Sequence, residues 1–321
     1  MIVVTGGAGF IGSGIVRHLN NQGVNRIVIV DDLNKPGKKK NLEDKQYSEL
    51  IPKKELFDWL KGKHASIQAF IHMGACSSTL ENNVPFLVEN NYLYSVRLCE
   101  YALEHKKRFI YASSAATYGD GSRGFEDDHA KLEEHYPLNR YGYYKHLFDL
   151  WLKNQDLLNS VVGLKFFNVF GPNESHKGRM ASAITHILPA AQREGEIKLF
   201  KSSEPKQFGD GEQKRDFIYV KDAARMLCQY LHNDSMGIYN IGSGVANTWN
   251  DLANAVFKAI HKTPNIRYID MPPDLVGKYQ NYTCASMDKT RKELQKAAVC
   301  APLEDSVIEY VRDHLLTGTP W

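Results

Sequence analysis

At 321 residues the chain is long enough for two domains sharing one large core. Hydrophobic residues at 43% and charged residues at 24% describe an ordinary globular chain, and 40 basic against 37 acidic side chains leave a net charge of +3, too small to favour nucleic acid or an anionic membrane surface. Five scattered cysteines, Cys76, Cys99, Cys228, Cys284 and Cys300, form no Cys-x-x-Cys pair, so neither a zinc knuckle nor a disulfide framework is expected.

The opening MIVVTGGAGF has no basic start followed by an apolar run and a cleavage site, so no secretory leader is expected. No window approaches the ~18 apolar residues that span a bilayer. Free thiols suit a reducing cytosol, and a cytoplasmic protein is expected. MIVVTG reads as a β-branched strand, FIGSGIVRHLNNQG as a helix stopping at Gly23, and RIVIVDD as a second buried strand. KPGKKK, residues 35–40, is a charge run expected as a solvated loop. QAFIHMGA and RFIYASSAATYG follow as strands with loops at their carboxyl ends, separated by the helical VENNYLYSVRLCEYALEHK. SVVGLKFFNVFG reads as another strand and GIYNIGSG as a later one. This alternation predicts an α/β fold with a Rossmann-type doubly wound parallel sheet. After Asn168 the pattern loosens: ASAITHILPAAQREG is helical, EPKQFGDGEQ a loop, and the stretch from Thr248 mixes helices with PNIRYIDMPPD. The expected division is a dinucleotide-binding domain of residues 1–167, with 215–247 returning to it, and a smaller mixed α/β substrate domain of 168–214 and 248–321.

TGGAGFIG places Gly6, Gly9 and Gly12 after a strand and at the opening of a helix. Glycine there permits a tight turn, close approach of a pyrophosphate and close helix–strand packing, and the helix amides face the anion. Tight turns elsewhere use glycine as well. The βαβ context and an acid nineteen residues past Gly12, Asp31, point to a dinucleotide site. Asp31 and its neighbour Asp32 would bind the adenosine ribose hydroxyls, which argues for NAD. Lys38, reaching back over the ribose, would hold a 2′-phosphate, which argues for NADP; charge counting leaves both open.

YGYYK sets Tyr141 and Lys145 four residues apart, on one face of a helix. A phenol with its ordinary pKa of ~10 is a poor base at neutral pH. A nearby ammonium and the positive nicotinamide of an oxidised cofactor favour the phenolate. Surface helices carry such pairs by chance; the upstream YASSAATYG raises this one, because it puts Ser114 at a strand's carboxyl end, where parallel-sheet sites form. Serine, tyrosine and lysine together bind and deprotonate an alcohol while hydride leaves. Further on, NVFGPNESHKGRMAS runs from a strand end into a turn carrying three potential cations, His176, Lys177 and Arg179.

TGGAGFIG, SSAATYG, YGYYK and FFNVFGP, in this order, resemble the extended short-chain dehydrogenase/reductases of the nucleotide-sugar epimerase type, over nearly the whole chain. HMGACSST, ENNY, NVFGPNESHKGRMAS and KRDFIYVKD are similar to the branch that epimerises ADP-linked heptose at carbon six for the lipopolysaccharide core. The resemblance implies an isomerase with bound NADP, NAD being the alternative. It implies that Phe10, Ile11, Asp31, Asp32, Lys38 and Lys53 line the cofactor. Met73, Gly74, Ala75, Cys76 and Ser77 would pass along its pyrophosphate and ribose side, with Asn90, Lys145 and Val169 near the nicotinamide ribose. Substrate contacts are implied at Asn168, Arg179, His186, Phe200, Lys201, Ser202, Ser203, Arg215 and Tyr279. Family members form ring-shaped pentamers, so a homo-oligomer is implied as well.

Inverting an unactivated carbinol requires hydride to leave one face and return to the other. With the cofactor fixed, the ketone must turn in the site, and its oxygen then meets a second proton donor. Tyr141 is expected to serve one orientation and Lys177, beside the cofactor, the other, the alternative being that Lys177 only neutralises a diphosphate. A desolvated lysine beside a nicotinamide cation has a lowered pKa and can act as acid or base. His186 and Arg215 are then the diphosphate partners, and His176 is structural. Sugar dehydratases of this fold carry acidic residues beside the serine, whereas Ala115 and Ala116 follow Ser114 here. A UDP-hexose 4-epimerase is the nearest enzymatic alternative. A cofactor-sensing regulator on the same fold could dispense with the tyrosine, yet Ser114, Tyr141 and Lys145 are all present.

Overall fold

The computed structural model describes residues 1–34, 36–272 and 280–321. Its main layer is a seven-stranded sheet of β1 (Ile2–Thr5), β2 (Ile27–Val30), β3 (Glu49–Ile51), β4 (Ala69–His72), β5 (Arg108–Ser114), β6 (Val162–Phe166) and a late strand at Gly237–Ile241. Every pairing in it is parallel. Strands buried on both faces need continuous apolar side chains, and the IVVT and IVIV runs of β1 and β2 provide them. Alternate residues serve opposite faces: Ile2 and Val4 pack with Ile15 and Leu19, whereas Val3 packs with Leu60 and Leu98. Ile15 and Leu19 belong to helix α1 (Phe10–Asn21), Leu98 to α3 (Tyr94–Glu104). Between them in sequence lies the short α2 (Pro36–Lys40), where a loop was expected; its Gly37 packs against His176.

The chain runs outward from β1 through β2 to β3, then returns to lay β4, β5 and β6 on the other side of β1. The carboxyl ends of β1 and β4 therefore border the crevice where such sheets bind ligands. Gly6, at φ +67°, makes that junction: a Cβ there would lie 2.7 Å from the Gly74 amide, so the loops after β1 and β4 touch only because this residue has no side chain.

The stretch read as one strand, SVVGLKFFNVFG, is two. β6 ends at Phe166, the Phe167 amide donates to the Ile241 carbonyl, and β7 (Asn168–Phe170) leaves for a smaller sheet. There β7 pairs with β9 (Lys214–Tyr219), which also pairs with β11 (Ala246–Thr248). β8 (Ile197–Phe200) and β12 (Ile266–Ile269) form a separate parallel pair. The late strand of the large sheet is β10, so within residues 215–247 β10 joins the large sheet while β9 joins the small one. Helix α4 (Arg140–Asn154) lies against β5. The outer part adds α5 (Ala183–Arg193), α6 (Val220–Gln229) and α7 (Trp249–Ala259). α6 packs on α1 in the main core. α5 and α7 share a further core with Phe170, Leu199 and Phe217. Among the described residues no helix is long and apolar enough to cross a membrane.

Candidate active site

The glycine loop closes on itself. The Gly9 amide donates to the Gly6 carbonyl at 2.9 Å, and a Cβ on Gly12 would lie 2.1 Å from that same oxygen. The loop thus holds α1 with its free amides at the crevice, the arrangement that receives a pyrophosphate. Asp31 is buried behind it and accepts from the Ala8 amide at 3.0 Å, the Asp32 amide at 2.8 Å and the Lys38 ammonium at 2.5 Å. The two residues that argued for different cofactors form one ion pair. Asp32 is exposed and accepts from the Lys53 amide at 3.1 Å, and the Lys53 ammonium bonds the Asn90 side-chain oxygen. Burial lowers the Lys53 pKa. Phe10 is buried and Ile11 half-buried at the start of α1. Met73 to Cys76 are half-buried in the loop after β4, and Ser77 is exposed. These contacts make a polar cradle over the ends of β1, β2 and β4 that fits a dinucleotide.

Ser114 ends β5, and its hydroxyl accepts the Ala116 amide at 3.1 Å. α4 begins beside it, capped by Asn139 on the Gly142 amide at 2.9 Å. Gly142 permits that approach, since a Cβ there would lie 2.7 Å from the Ala116 carbonyl. The Tyr141 phenol faces the Ser114 hydroxyl. The phenol's pKa is raised by burial, drawn back by the Ser114 hydroxyl and raised further by the Cys76 thiol. This differs from the lowering expected from a neighbouring ammonium. The Lys145 ammonium donates to the Ala112 carbonyl at 2.7 Å, and desolvation dominates at the phenol. Burial lowers Lys145 itself to about 8, opposed by Asp149 and Cys76.

The turn 175–180 crosses the crevice from the other side. His176 bonds Asn41 at 3.2 Å and packs on Gly37, after β2; the Thr79 hydroxyl meets the Met180 sulfur at 4.0 Å, after β4. Between these anchors the half-buried Lys177 places its ammonium 5.1 Å from the Phe10 ring centre, and burial lowers its pKa against the pull of Glu174. Gly178 follows at φ +53° and Arg179 is exposed.

Two of the remaining candidates touch the 280–283 segment. Asn168 accepts from the Thr283 hydroxyl at 3.4 Å, and the Ser203 hydroxyl donates to Asn281 at 3.2 Å. Phe200 ends β8 opposite Ile269. Lys201 pairs with Asp270 at 3.0 Å, and the Ser202 amide donates to Asp210 at 2.9 Å. Arg215 is buried with its guanidinium 5.8 Å from the Trp249 ring centre. Val169 is half-buried on β7 and His186 exposed on α5. Tyr279 lies outside the described residues.

Several residues that hold these groups were not singled out from sequence. Glu174 is buried and accepts from the Ser182 amide at 2.6 Å, the Ser182 hydroxyl at 2.5 Å and the Tyr310 hydroxyl at 2.9 Å, which anchors the Lys177 turn. Asn91 bonds both the amide and the carbonyl of Cys76, at 2.8 and 2.9 Å. The Gly74 amide donates to the Thr5 hydroxyl, which donates to His72 Nδ1 at 2.6 Å; His72 Nε2 then donates to Ser95 at 2.9 Å. Burial holds His72 neutral, with its pKa lowered to about 3, which this one-directional relay requires.

The model of the NAD dependent epimerase/dehydratase family matches residues 2–242. The ADP-L-glycero-D-manno-heptose-6-epimerase of Nitratidesulfovibrio vulgaris (strain DP4) is 48% identical over 328 residues, covering 100% of both chains. The crystal structure of Helicobacter pylori ADP-L-glycero-D-manno-heptose-6-epimerase superposes with a TM-score of 0.80 at 26% identity, covering 97% of this chain and 95% of that one. MoeE5 in complex with UDP-glucose and NAD superposes with a TM-score of 0.73 at 25% identity, covering 98% and 99%. With a glycine cradle at the sheet's switch point, a Ser–Tyr–Lys group at the end of β5, and a family match spanning most of its length, the chain belongs to the NAD dependent epimerase/dehydratase family, and it is similar over its full length to relatives named ADP-L-glycero-D-manno-heptose-6-epimerase.

Proposed function

We propose that this epimerase interconverts ADP-D-glycero-D-manno-heptose and ADP-L-glycero-D-manno-heptose by transient oxidation at carbon six, with NADP as its cofactor. What supports the reading is that two ionisable side chains, a phenol and an ammonium, approach the crevice from different elements. Tyr141 comes from the β5 side, and Lys177 comes from beyond β1, over Phe10. A nicotinamide dinucleotide held by the glycine loop, Asp31, Lys38 and Lys53 would supply hydride acceptance and return at carbon six. Ser114 holds the substrate hydroxyl while Tyr141, as phenolate, removes its proton. Burial raises the Tyr141 pKa, so the phenolate forms only with positive charge present, which Lys145 and the oxidised cofactor supply together. After the ketone turns, Lys177 meets its oxygen and delivers the proton; desolvation brings the ammonium toward the working pH.

The cofactor preference rests on Asp31. Its carboxylate is engaged by two amides and by Lys38, so little of it remains for a ribose, and Lys38 cancels the charge that would repel a 2′-phosphate. Asn168, His186, Phe200 to Ser203, Arg215 and Tyr279 belong to the nucleotide-heptose in this reading, and Arg179 sits at its rim. The large sheet serves the cofactor and the outer sheets the substrate. The protein works in the cytoplasm as a homo-oligomer. A UDP-hexose 4-epimerase needs no second base, so Lys177 separates the two readings. Purified enzyme should epimerise ADP-heptose, not UDP-galactose, without accumulating NADPH or NADH. Tyr141→Phe and Lys177→Met should each retain cofactor and lose ~10²–10⁴-fold in kcat. Full turnover by Lys177→Met at saturating substrate would reduce the lysine to a diphosphate contact and overturn the two-base reading.

A further inference from the structure

Beneath the candidate site lies a charge pair with no part in the chemistry above. Asp149 and Lys165 meet at 2.7 Å with both side chains fully buried. A buried pair of this kind is often no more stabilising than apolar residues of similar volume, so its connections matter more than its strength. Asp149 also accepts from the Tyr111 hydroxyl at 2.8 Å and the Ser113 hydroxyl at 2.7 Å, both on β5. Lys165, on β6, also donates to the Thr117 hydroxyl at 2.6 Å, and Thr117 donates to the Ser114 carbonyl at 2.8 Å. Ser114 is therefore gripped on both sides: through its neighbour Ser113 to Asp149, and through Thr117 to Lys165. On α4, Tyr141, Lys145 and Asp149 stand at successive intervals of four, so they share one face.

We propose that the Asp149–Lys165 pair is a positioning device that locks α4 to the end of β5 and β6, fixing Tyr141 and Lys145 against Ser114 and keeping Lys145 charged. The proposal rests on the reading of Tyr141 as the proton-transfer group. Lys145 faces Asp149 on its own helix, Cys76 from the loop after β4, and His72 at the end of β4. Asp149 faces Lys165, Tyr111, Tyr118, His129, His135 and His146. Asp149 favours the Lys145 ammonium, so its removal must lower the pH at which that ammonium is lost.

The test compares Asp149→Asn, the double variant Asp149→Asn with Lys165→Met, and Tyr141→Phe, all with bound cofactor. Asp149→Asn should lower kcat by roughly 10²-fold, the scale of a misplaced catalytic group. KM and cofactor affinity should change little, and the alkaline limb of the kcat–pH profile should move down by about 1 unit. The double variant removes both charges, so it should fold even where the single variant does not. Its alkaline limb should stay down, because Asp149 is still missing beside Lys145, and kcat should stay low, because the lock is gone. A purely structural pair would change thermal stability without moving the limb. An unmoved limb with kcat within about threefold, in whichever variant folds, overturns the proposal. Should Tyr141→Phe remain active, the underlying assignment of the site fails instead, and the two failures are distinguishable.

Discussion

Lys38 shows how one side chain can carry opposite meanings until its partner is seen. From sequence it and Asp31 argued for different cofactors; in the fold the ammonium lies 2.5 Å from the carboxylate, with little of either side chain exposed. A lysine so placed neutralises the acid while keeping about a fifth of its side chain exposed. Lys38→Ala should therefore weaken NADP binding more than NAD binding, by ~1.5–3 kcal/mol, the worth of a charge-assisted hydrogen bond to the 2′-phosphate. Titration calorimetry of the wild type and variant with both dinucleotides reads the difference, and equal losses would return the ribose to Asp31 and favour NAD. Lys177 differs in kind: its stem and ammonium are desolvated against Phe10, so its environment rather than a partner tunes it.

At the scale of elements, the glycine loop, the buried strands and the Tyr-x-x-x-Lys helix were legible because each is local: period, spacing and a turn residue define it within a dozen positions. What was not legible is how elements are held at their working distance. Glu174 meets Tyr310 across 136 residues and Thr5 meets His72 across 67, and no local pattern announces either bond. The split of SVVGLKFFNVFG at Phe167 was hidden for a related reason, since both halves are apolar and extended and only pairing with different sheets separates them. Gly142 tests this level directly. It brings the first turn of α4 against the Ala116 carbonyl, and that contact sets the approach of Tyr141 to Ser114. Gly142→Ala puts a methyl 2.7 Å from that oxygen, so the helix start must retreat. A displacement approaching 1 Å costs on the order of 10² in rate. Steady-state assays should show kcat falling by about that factor while calorimetric cofactor affinity stays near wild type, because the cradle is built by other loops. Loss of both together would mean that the whole crevice had collapsed.

At the scale of the whole molecule, three histidines sit where burial opposes their protonation. His72, His135 and His146 are buried; burial lowers His72 to about 3 and the other two to about 4. Among the described residues, neither ring nitrogen of His135 nor Nδ1 of His146 meets a hydrogen-bond partner, and the Lys165 charge opposes protonation of both. In the unfolded chain each would titrate near its ordinary ~6.5. The folded pKa is the lower one, so the unfolded state binds more protons on acidification. Stability is then fully present above about pH 6.5 and falls as pH drops through the window toward the folded values. At one unit below its unfolded pKa each histidine has removed roughly 1.4 kcal/mol of stability, about 4 kcal/mol for the three together. That is a large part of a typical folding free energy of ~5–15 kcal/mol. Thermal denaturation followed by circular dichroism should therefore show Tm falling by roughly 10 °C between pH 7.5 and about pH 5.5, at ~2–4 °C per kcal/mol. His146→Gln, which cannot be protonated, should flatten about a third of that slope whatever it does to Tm at neutral pH. A melting temperature independent of pH across this range would mean that water or a carboxylate reaches these rings on protonation, and that the histidines do not set the acid limit of the fold.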